Sequence, residues 1–264
     1  MLVWGVMMIF FLNIKHIPYD FSEKDALIVR ILAKFLMTIA IPLLLIRLLY
    51  TEKSDFGIYF PTYRESFKLS WRALSIAGPA CVSFLLIAVL GWGFHDWKGA
   101  SLLSIVFLTV FYFMPRVTSN LPTRESIGVP NKKIILLTLL SILTIGIAYG
   151  TYDVIPIFWK ILYYAFIVGF GEELFFRGYL QSAMNRYFGK TFMLGGVKFG
   201  WGLILAAAIF GLSHALVSAP PTWPWALWTF IIGLTLGFIR EKDGSILAAV
   251  ILHAIIDMPL AFMT

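Results

Sequence analysis

The stretch PIFWKILYYAFIVGFGEELFFR, residues 156–177, decides how the rest of the chain is interpreted. It has the length and apolar character of a helix that crosses about 30 Å of hydrocarbon. Toward its end, however, it carries the charged side chains Glu172, Glu173 and Arg177. A charge at mid-membrane costs about 2.5 to 3.5 kcal/mol on insertion scales, so such side chains usually face the helix bundle and pair there. The stretch therefore predicts a membrane helix that also contributes to a polar site.

The composition predicts that lipid is the solvent of the whole chain. Of its 264 residues, 60% are hydrophobic and 13% are charged, more apolar surface than one soluble core buries. Runs of roughly 20 apolar residues recur, without the alternation typical of a β-barrel. We predict an all-α, polytopic membrane helical bundle with about eight transmembrane helices. The predicted spans are 26–50, 71–94, 101–115, 134–152, 156–177, 200–217, 225–239 and 245–262.

Basic residues predict the orientation of these helices. Lysines and arginines such as Arg116, Lys133, Lys198 and Arg240 occupy every second connection. By the positive-inside rule these connections are cytoplasmic, and we expect a multi-pass protein whose polar site is reached from that side. The net charge of +7 is then mainly a topology signal. It indicates the lipid bilayer as a partner and gives no reason to expect nucleic acid.

The first fourteen residues, MLVWGVMMIFFLNI, are apolar but short and lack the features of a cleaved signal peptide. They predict a ninth span or an interfacial helix. The single cysteine, Cys81, excludes intramolecular disulfides and zinc sites built on paired cysteines.

Ionisable residues inside the spans are few and concentrated in the second half of the chain. Arg30 and Lys34 lie near the outer end of the first span, where we expect their long side chains to extend to the headgroups. The others are Glu172, Glu173, Arg177, His214, His253 and Asp257. This distribution suggests a division into N-terminal transmembrane helices, residues 1–133, and a transmembrane core that holds the polar residues, residues 134–264.

Helical spacing predicts two pairs of interacting side chains. Glu173 and Arg177 are four residues apart and can pair on one face, while Glu172 points about 100° away. His253 and Asp257 have the same spacing, so the carboxylate can accept a ring N–H and orient the imidazole.

The heights of the two histidines raise a question. Phe210 precedes His214 by four residues and would cover its ring. On a straight-helix count, His214 lies about 24 Å from the inner boundary at Lys198, but His253 only about 12 Å past Ser245. A common site therefore requires tilted helices or a sixth helix that begins below the membrane surface.

Three segments resemble the motifs of one enzyme family. EELFFR (172–177), FGLSH (210–214) and HAIID (253–257) resemble the patterns E-E-x-x-x-R, F-x-x-x-H and H-x-x-x-[N/D] of the CAAX-protease and bacteriocin-processing (CPBP, or Abi) membrane endopeptidases. The resemblance covers about residues 156–262. It implies an intramembrane endopeptidase acting on a membrane-associated protein or peptide. In the type II CAAX prenyl endopeptidases, the best-known branch, the substrate is prenylated.

The residue chemistry and the resemblance imply the same principal roles. Peptide hydrolysis needs an activated water and a donor at the developing oxyanion. Glu172 suits the general base, and His214 suits a partner that holds and polarises the water. His253 would donate to the oxyanion.

The remaining three residues would support these groups. Asp257 stands where many relatives have asparagine, and an ionised aspartate cannot donate a hydrogen bond. It therefore orients His253 or is itself protonated. Arg177 would neutralise Glu173, so that Glu172 titrates independently.

Three alternatives remain at this point. Glu172, His214 and His253 form a His₂Glu set of the kind used by zinc hydrolases, although the H-E-x-x-H motif is missing. The preferred mechanism needs no cofactor, and zinc is the alternative. From a different functional class, the chain could be a non-enzymatic membrane scaffold or immunity protein, or a transporter with polar groups along its pathway.

Overall fold

The computed structural model describes residues 22–49, 56–60, 63–125, 132–218 and 220–263. The predicted ninth span or interfacial helix at residues 1–14 lies outside these ranges. The longer helices are α1 (Glu23–Phe35, Leu36–Ala40 and Ile41–Leu49), α2 (Tyr63–Val89), α3 (Trp97–Val117), α4 (Lys132–Thr151), α5 (Pro156–Leu162, Tyr163–Gly169, Phe170–Glu173, Leu174–Leu180 and Gln181–Phe188), α6 (Trp201–Leu216), α7 (Trp223–Asp243) and α8 (Leu247–Asp257). A hairpin of β1 (Phe192–Leu194) and β2 (Val197–Phe199) joins α5 to α6, and α9 (Leu260–Met263) is short.

The predicted all-α membrane bundle is confirmed, although not its number of spans. Among the described residues, four helices are long and apolar enough to cross a membrane: Glu23–Leu48, Tyr63–Val89, Trp97–Val117 and Lys133–Thr151. Trp201–Leu216 and Leu247–Phe262 are apolar but shorter. The predicted end of the fifth span also differs from the structure, because α5 continues past Arg177 to Phe188.

The outer surface of the bundle is apolar, as expected where lipid replaces water. Large side chains such as Leu48, Val82, Val89, Ile105 and Leu143 are exposed. The interior contains many small residues, for example Ala73, Ala77 and Ala80 along one side of α2. Because lipid tails are as apolar as leucine, close packing of small residues is a principal source of helix association in membranes.

Helices α1 and α5 contain π-helical segments at the level where they meet. In α1 this segment is Leu36–Ala40, and in α5 the segments Tyr163–Gly169 and Leu174–Leu180 flank Glu172 and Glu173. π-helical turns are rare and frequently occur at functional sites, since they change the direction in which side chains point. The glutamates thus lie in a short α-helical turn between two wider ones.

The register of α6 against α5 explains how His214 reaches the level of Glu173. The backbone N–H of Gly202, near the start of α6, donates to the Asn185 side chain on α5 at 3.1 Å. From there His214 lies about 18 Å along α6, and the same distance back along α5 leads to Glu173. The antiparallel helices therefore bring His214 and Glu173 to the same depth. No unusual tilt is needed, because α5 extends well beyond its charged residues.

Helix α7 runs parallel to α5 and presents glycine carbonyls to it. Arg177 donates to the Gly233 carbonyl oxygen at 3.3 Å, and Gln181 donates to that of Gly237 at 3.2 Å. A Cβ atom on Gly233 would lie 3.1 Å from the Cα of Ala207 on α6. These glycines therefore allow close packing, as their small-xxx-small spacing predicts.

Substitution of Gly211 tests the packing of α6 on α7. A Cβ atom there would lie 2.5 Å from the Ala226 carbonyl oxygen and 2.9 Å from the Phe230 Cβ. We expect Gly211→Ala to lower the free energy of unfolding in detergent by about 1 to 3 kcal/mol, the usual cost of overpacking. The control is Gly146→Ala on α4, where a Cβ atom meets nothing within 4 Å. Equal stability of the two variants would contradict the described packing.

Candidate active site

A cavity of about 380 Å³ lies between α1, α2, α5, α6, α7 and α8. Its lining is largely apolar and rich in aromatic rings, including Phe84, Phe175, Phe176, Trp225 and Trp228. The ionisable side chains that reach it are Lys34, Glu172, His214, His253 and Asp257. Such a concave apolar site with a few convergent polar groups is typical of ligand and substrate sites.

Glu173 links three helices behind this cavity. Its Oε1 accepts hydrogen bonds from Arg177 Nη1 at 2.8 Å and from His253 Nδ1 at 2.7 Å. Arg177 also donates to Gly233, and its guanidinium lies 4.5 Å from the centre of the Phe210 ring. Glu173 and Arg177 are completely buried. The predicted Glu173–Arg177 pair is present, while the bond to His253 was not predicted because α8 is 80 residues away in sequence.

His253 is surrounded by carboxylates. While Nδ1 donates to Glu173, Nε2 lies 3.3 Å from Asp257 Oδ2 and 3.9 Å from Glu172 Oε2. Carboxylate oxygens near both nitrogens favour a doubly protonated imidazole, because that ring donates from both positions. The predicted contact between His253 and Asp257 is therefore present, within a larger group of charges.

His214 lines the cavity, and among the described residues its Nε2 has no hydrogen-bond partner. Its Nδ1 lies 2.8 Å from the Phe210 carbonyl oxygen. Because a carbonyl only accepts, Nδ1 carries the proton, and in the neutral ring Nε2 is an acceptor. The ring is held by Phe210 and Trp225, with centroid distances of 4.5 Å and 5.2 Å. Phe210 thus covers the histidine as its spacing predicts.

Glu172 has a partner that the sequence did not indicate. Lys34 Nζ lies 2.6 Å from Glu172 Oε1, so the prediction that the Lys34 side chain extends to the headgroups is wrong. Arg30, one turn earlier, is exposed. Within the described part of the chain, Glu172 Oε2 is buried and accepts no hydrogen bond from the protein. One oxygen is therefore held by the lysine while the other is available to a ligand.

The zinc alternative stays a prediction, and the described side chains show no preformed ligand set for it. Among the described residues, no group of three or more His, Cys, Asp or Glu side chains is arranged to hold a metal ion. Within the set Glu172, His214 and His253, the last ring is bonded through Nδ1 to Glu173. Its Nε2 lies 3.3 Å from Asp257 Oδ2 and 3.9 Å from Glu172 Oε2, and a ring protonated at both nitrogens has no lone pair for a metal.

A second polar network lies at the end of α7, where the sequence indicated only a basic loop. Glu241 accepts a hydrogen bond from Lys190 at 2.6 Å. Asp243 accepts from Ser66 at 2.8 Å and from Arg124 at 3.3 Å. Both carboxylates are buried. The basic residues that predicted topology thus also connect α7 to α2 and to the segments around it.

Replacing Arg177 tests whether the buried ion pair supports the fold. Arg177→Leu leaves Glu173 without its cation in a buried site, which typically costs about 3 to 5 kcal/mol. The control is Lys68→Leu, which removes an exposed pair with Glu65 that is worth about 0 to 1 kcal/mol. Thermal unfolding in detergent should show a much larger loss for Arg177→Leu. Similar losses would mean that Glu173 finds other compensation.

Comparison with known proteins agrees with the resemblance seen in the motifs. Residues 154–259 match the family model described as "Type II CAAX prenyl endopeptidase Rce1-like". No curated protein and no solved structure gives a significant match to the chain. The matched segment includes α5 to α8 and all six site residues predicted from the sequence. Residues 154–259 are therefore similar to the Rce1-like family of type II CAAX prenyl endopeptidases.

Proposed function

We propose that the chain is an intramembrane endopeptidase in which Glu172 and His214 activate the water that attacks a peptide bond. The observation that carries this proposal is the pair of acceptors on two side chains that line one cavity. These are Glu172 Oε2, which has no hydrogen bond within the described protein, and His214 Nε2, whose lone pair is directed away from Phe210. A water between them can donate both protons and present its oxygen lone pair to a carbonyl carbon.

Peptide hydrolysis needs a proton acceptor for the attacking water and, at a separate position, a hydrogen-bond donor for the oxyanion. As the water oxygen bonds to the carbonyl carbon, one water proton passes to Glu172 and the carbonyl oxygen becomes an oxyanion. The N–H at Nε2 of His253, on the cavity side of the ring, stabilises this oxyanion. When the C–N bond breaks, Glu172 returns the proton to the leaving nitrogen. The products are an amine and a carboxylic acid.

The buried groups behind the cavity prepare His253 for its role. Glu173 holds Nδ1 and fixes the orientation of the ring, and Arg177 keeps Glu173 in place through its own hydrogen bonds. Asp257 lies close to Nε2 and accepts from the resting ring. Preorganised donors of this kind cost no rearrangement when the transition state forms.

The lining of the cavity suggests the class of substrate. Aromatic rings from α2, α5 and α7 would accommodate apolar side chains or a lipid chain. The family description names a prenyl endopeptidase, so the proposed substrate is a membrane-associated, CAAX-type prenylated protein or peptide. We retain from the sequence the expectation that this substrate enters from the cytoplasmic side.

Cleavage of defined peptides by the purified protein tests the proposal. A panel of farnesylated and unlipidated peptides would be incubated with the full chain in detergent, and the products identified by mass spectrometry. Glu172→Gln and His214→Ala should each reduce kcat by at least about 100-fold, as expected for groups that transfer protons. Glu65→Gln, which alters a half-buried carboxylate outside the cavity, should remain active.

Two further outcomes would change the proposal. Loss of cleavage with a strong zinc chelator, reversed by zinc alone, would favour the metal-dependent mechanism. If folded wild type cleaves no peptide of the panel, a scaffold or immunity role becomes the better explanation.

Substitution of Asp257 distinguishes its two possible roles. If the carboxylate orients and neutralises His253, Asp257→Asn should lower kcat by about 10- to 100-fold, the usual effect of removing an orienting partner. If the side chain instead donates to the oxyanion, asparagine should preserve or improve activity, because its amide is a donor. Initial rates with a cleaved peptide measure the difference, and unchanged thermal stability serves as the control.

A further inference from the structure

We propose that Lys34, which lies outside the matched residues 154–259, is a positioning residue of the active site. Its ammonium holds Glu172 Oε1 at 2.6 Å and thereby directs Oε2 toward the water. This inference rests on the proposed function, because it assigns a role relative to the general base. It makes the N-terminal helix α1 part of the catalytic centre.

The backbone is built to bring α1 to Glu172. A Cβ atom on Gly171 would lie 2.5 Å from Thr38 Oγ1 and 3.2 Å from Ile39 Cγ1. Any larger residue would therefore have to displace these side chains or separate the helices. The contact involves the π-helical segment of α1, and Thr38 itself donates to the Lys34 carbonyl oxygen at 2.8 Å. Lys34 thus reaches the glutamate through a specific close approach of the two helices.

The charges of the site require a cation at this position. Glu172, Glu173 and Asp257 bring three carboxylates to a region of low dielectric constant. Arg177 is bonded to Glu173, and a doubly protonated His253 supplies a second positive charge. Lys34 supplies the third and balances the site. Without it, one carboxylate would be left uncompensated in a buried position, which is strongly unfavourable.

Lys34 can also be reached from the cavity, as a role in the reaction requires. Its side chain is 21% exposed, while that of Glu172 is 8% exposed, and both line the cavity. The ammonium has three donors, and the Tyr163 ring lies 5.8 Å from Nζ. A purely structural pair would be sealed from the cavity, as Arg177 is with 1% exposure of its side chain.

Kinetics of Lys34 variants test the positioning role. Lys34→Met retains the bulk but not the charge, and kcat should fall by about 10- to 100-fold with KM changed by less than about twofold. Lys34→Arg should restore part of the loss. In Lys34→Ala, added ethylammonium should increase kcat by filling the vacated position, whereas Lys34→Met should not respond. The matched control is Lys24→Met. Lys24 lies on α1, as Lys34 does, and its ammonium contacts the Tyr149 ring of α4.

A stability cycle separates the ion pair from catalysis. Tm values of wild type, Lys34→Met, Glu172→Gln and the double variant would be compared. If the pair exists, the Tm shift of the double variant should differ from the sum of the two single shifts. Additive shifts would overturn the inference.

The remaining outcomes are also decisive. Coupled Tm values with normal kcat in Lys34→Met would show a structural pair only and overturn the positioning role. If Glu172→Gln is inactive while Lys34→Met and Lys34→Ala are fully active, the proposed function stands and this inference fails. If folded wild type cleaves nothing, both fail.

Discussion

The Oε1 atom of Glu173 is the point on which the organisation of the site depends. It accepts from Arg177 on its own helix and from His253 on α8, while Arg177 reaches the backbone of α7. In a low-dielectric interior such charge-assisted bonds are strong, and an unpaired member is costly. Three helices are therefore held in one relative position by a single acceptor. The His253 ring, which lines the cavity, is oriented by these buried hydrogen bonds.

The two adjacent glutamates have different surroundings because a helix places consecutive side chains about 100° apart. Glu173 points into the bundle, where its bonded oxygen has two donors, and Glu172 points toward α1 and the cavity. One carboxylate is thus committed to structure, and the other keeps an oxygen available. The same pair of residues thus provides a fixed contact between helices and an oxygen without a hydrogen bond to the described protein.

Glycines determine how closely the charged helices approach one another. Gly171 brings α1 to α5, and Gly233 brings α7 to α6 while its carbonyl accepts from Arg177. Lipid supplies little hydrophobic force between helices, so close contact and hydrogen bonds must provide the association energy. The polar site and the packing of the bundle therefore depend on the same residues. This dependence explains how side chains from separate helices can form one polar site.

The sequence by itself determined the helical membrane class, the Glu173–Arg177 and His253–Asp257 pairs, and the cover of Phe210 on His214. Each of these follows from composition or from a spacing of four residues, which are local properties of a helix. Only the tertiary structure decided that Glu173 binds His253, that Lys34 binds Glu172, and that His214 and Glu173 share one depth. These contacts join helices that are distant in the chain. They depend on inter-helix register and on close approach at glycines, neither of which is encoded by the spacing within a single helix.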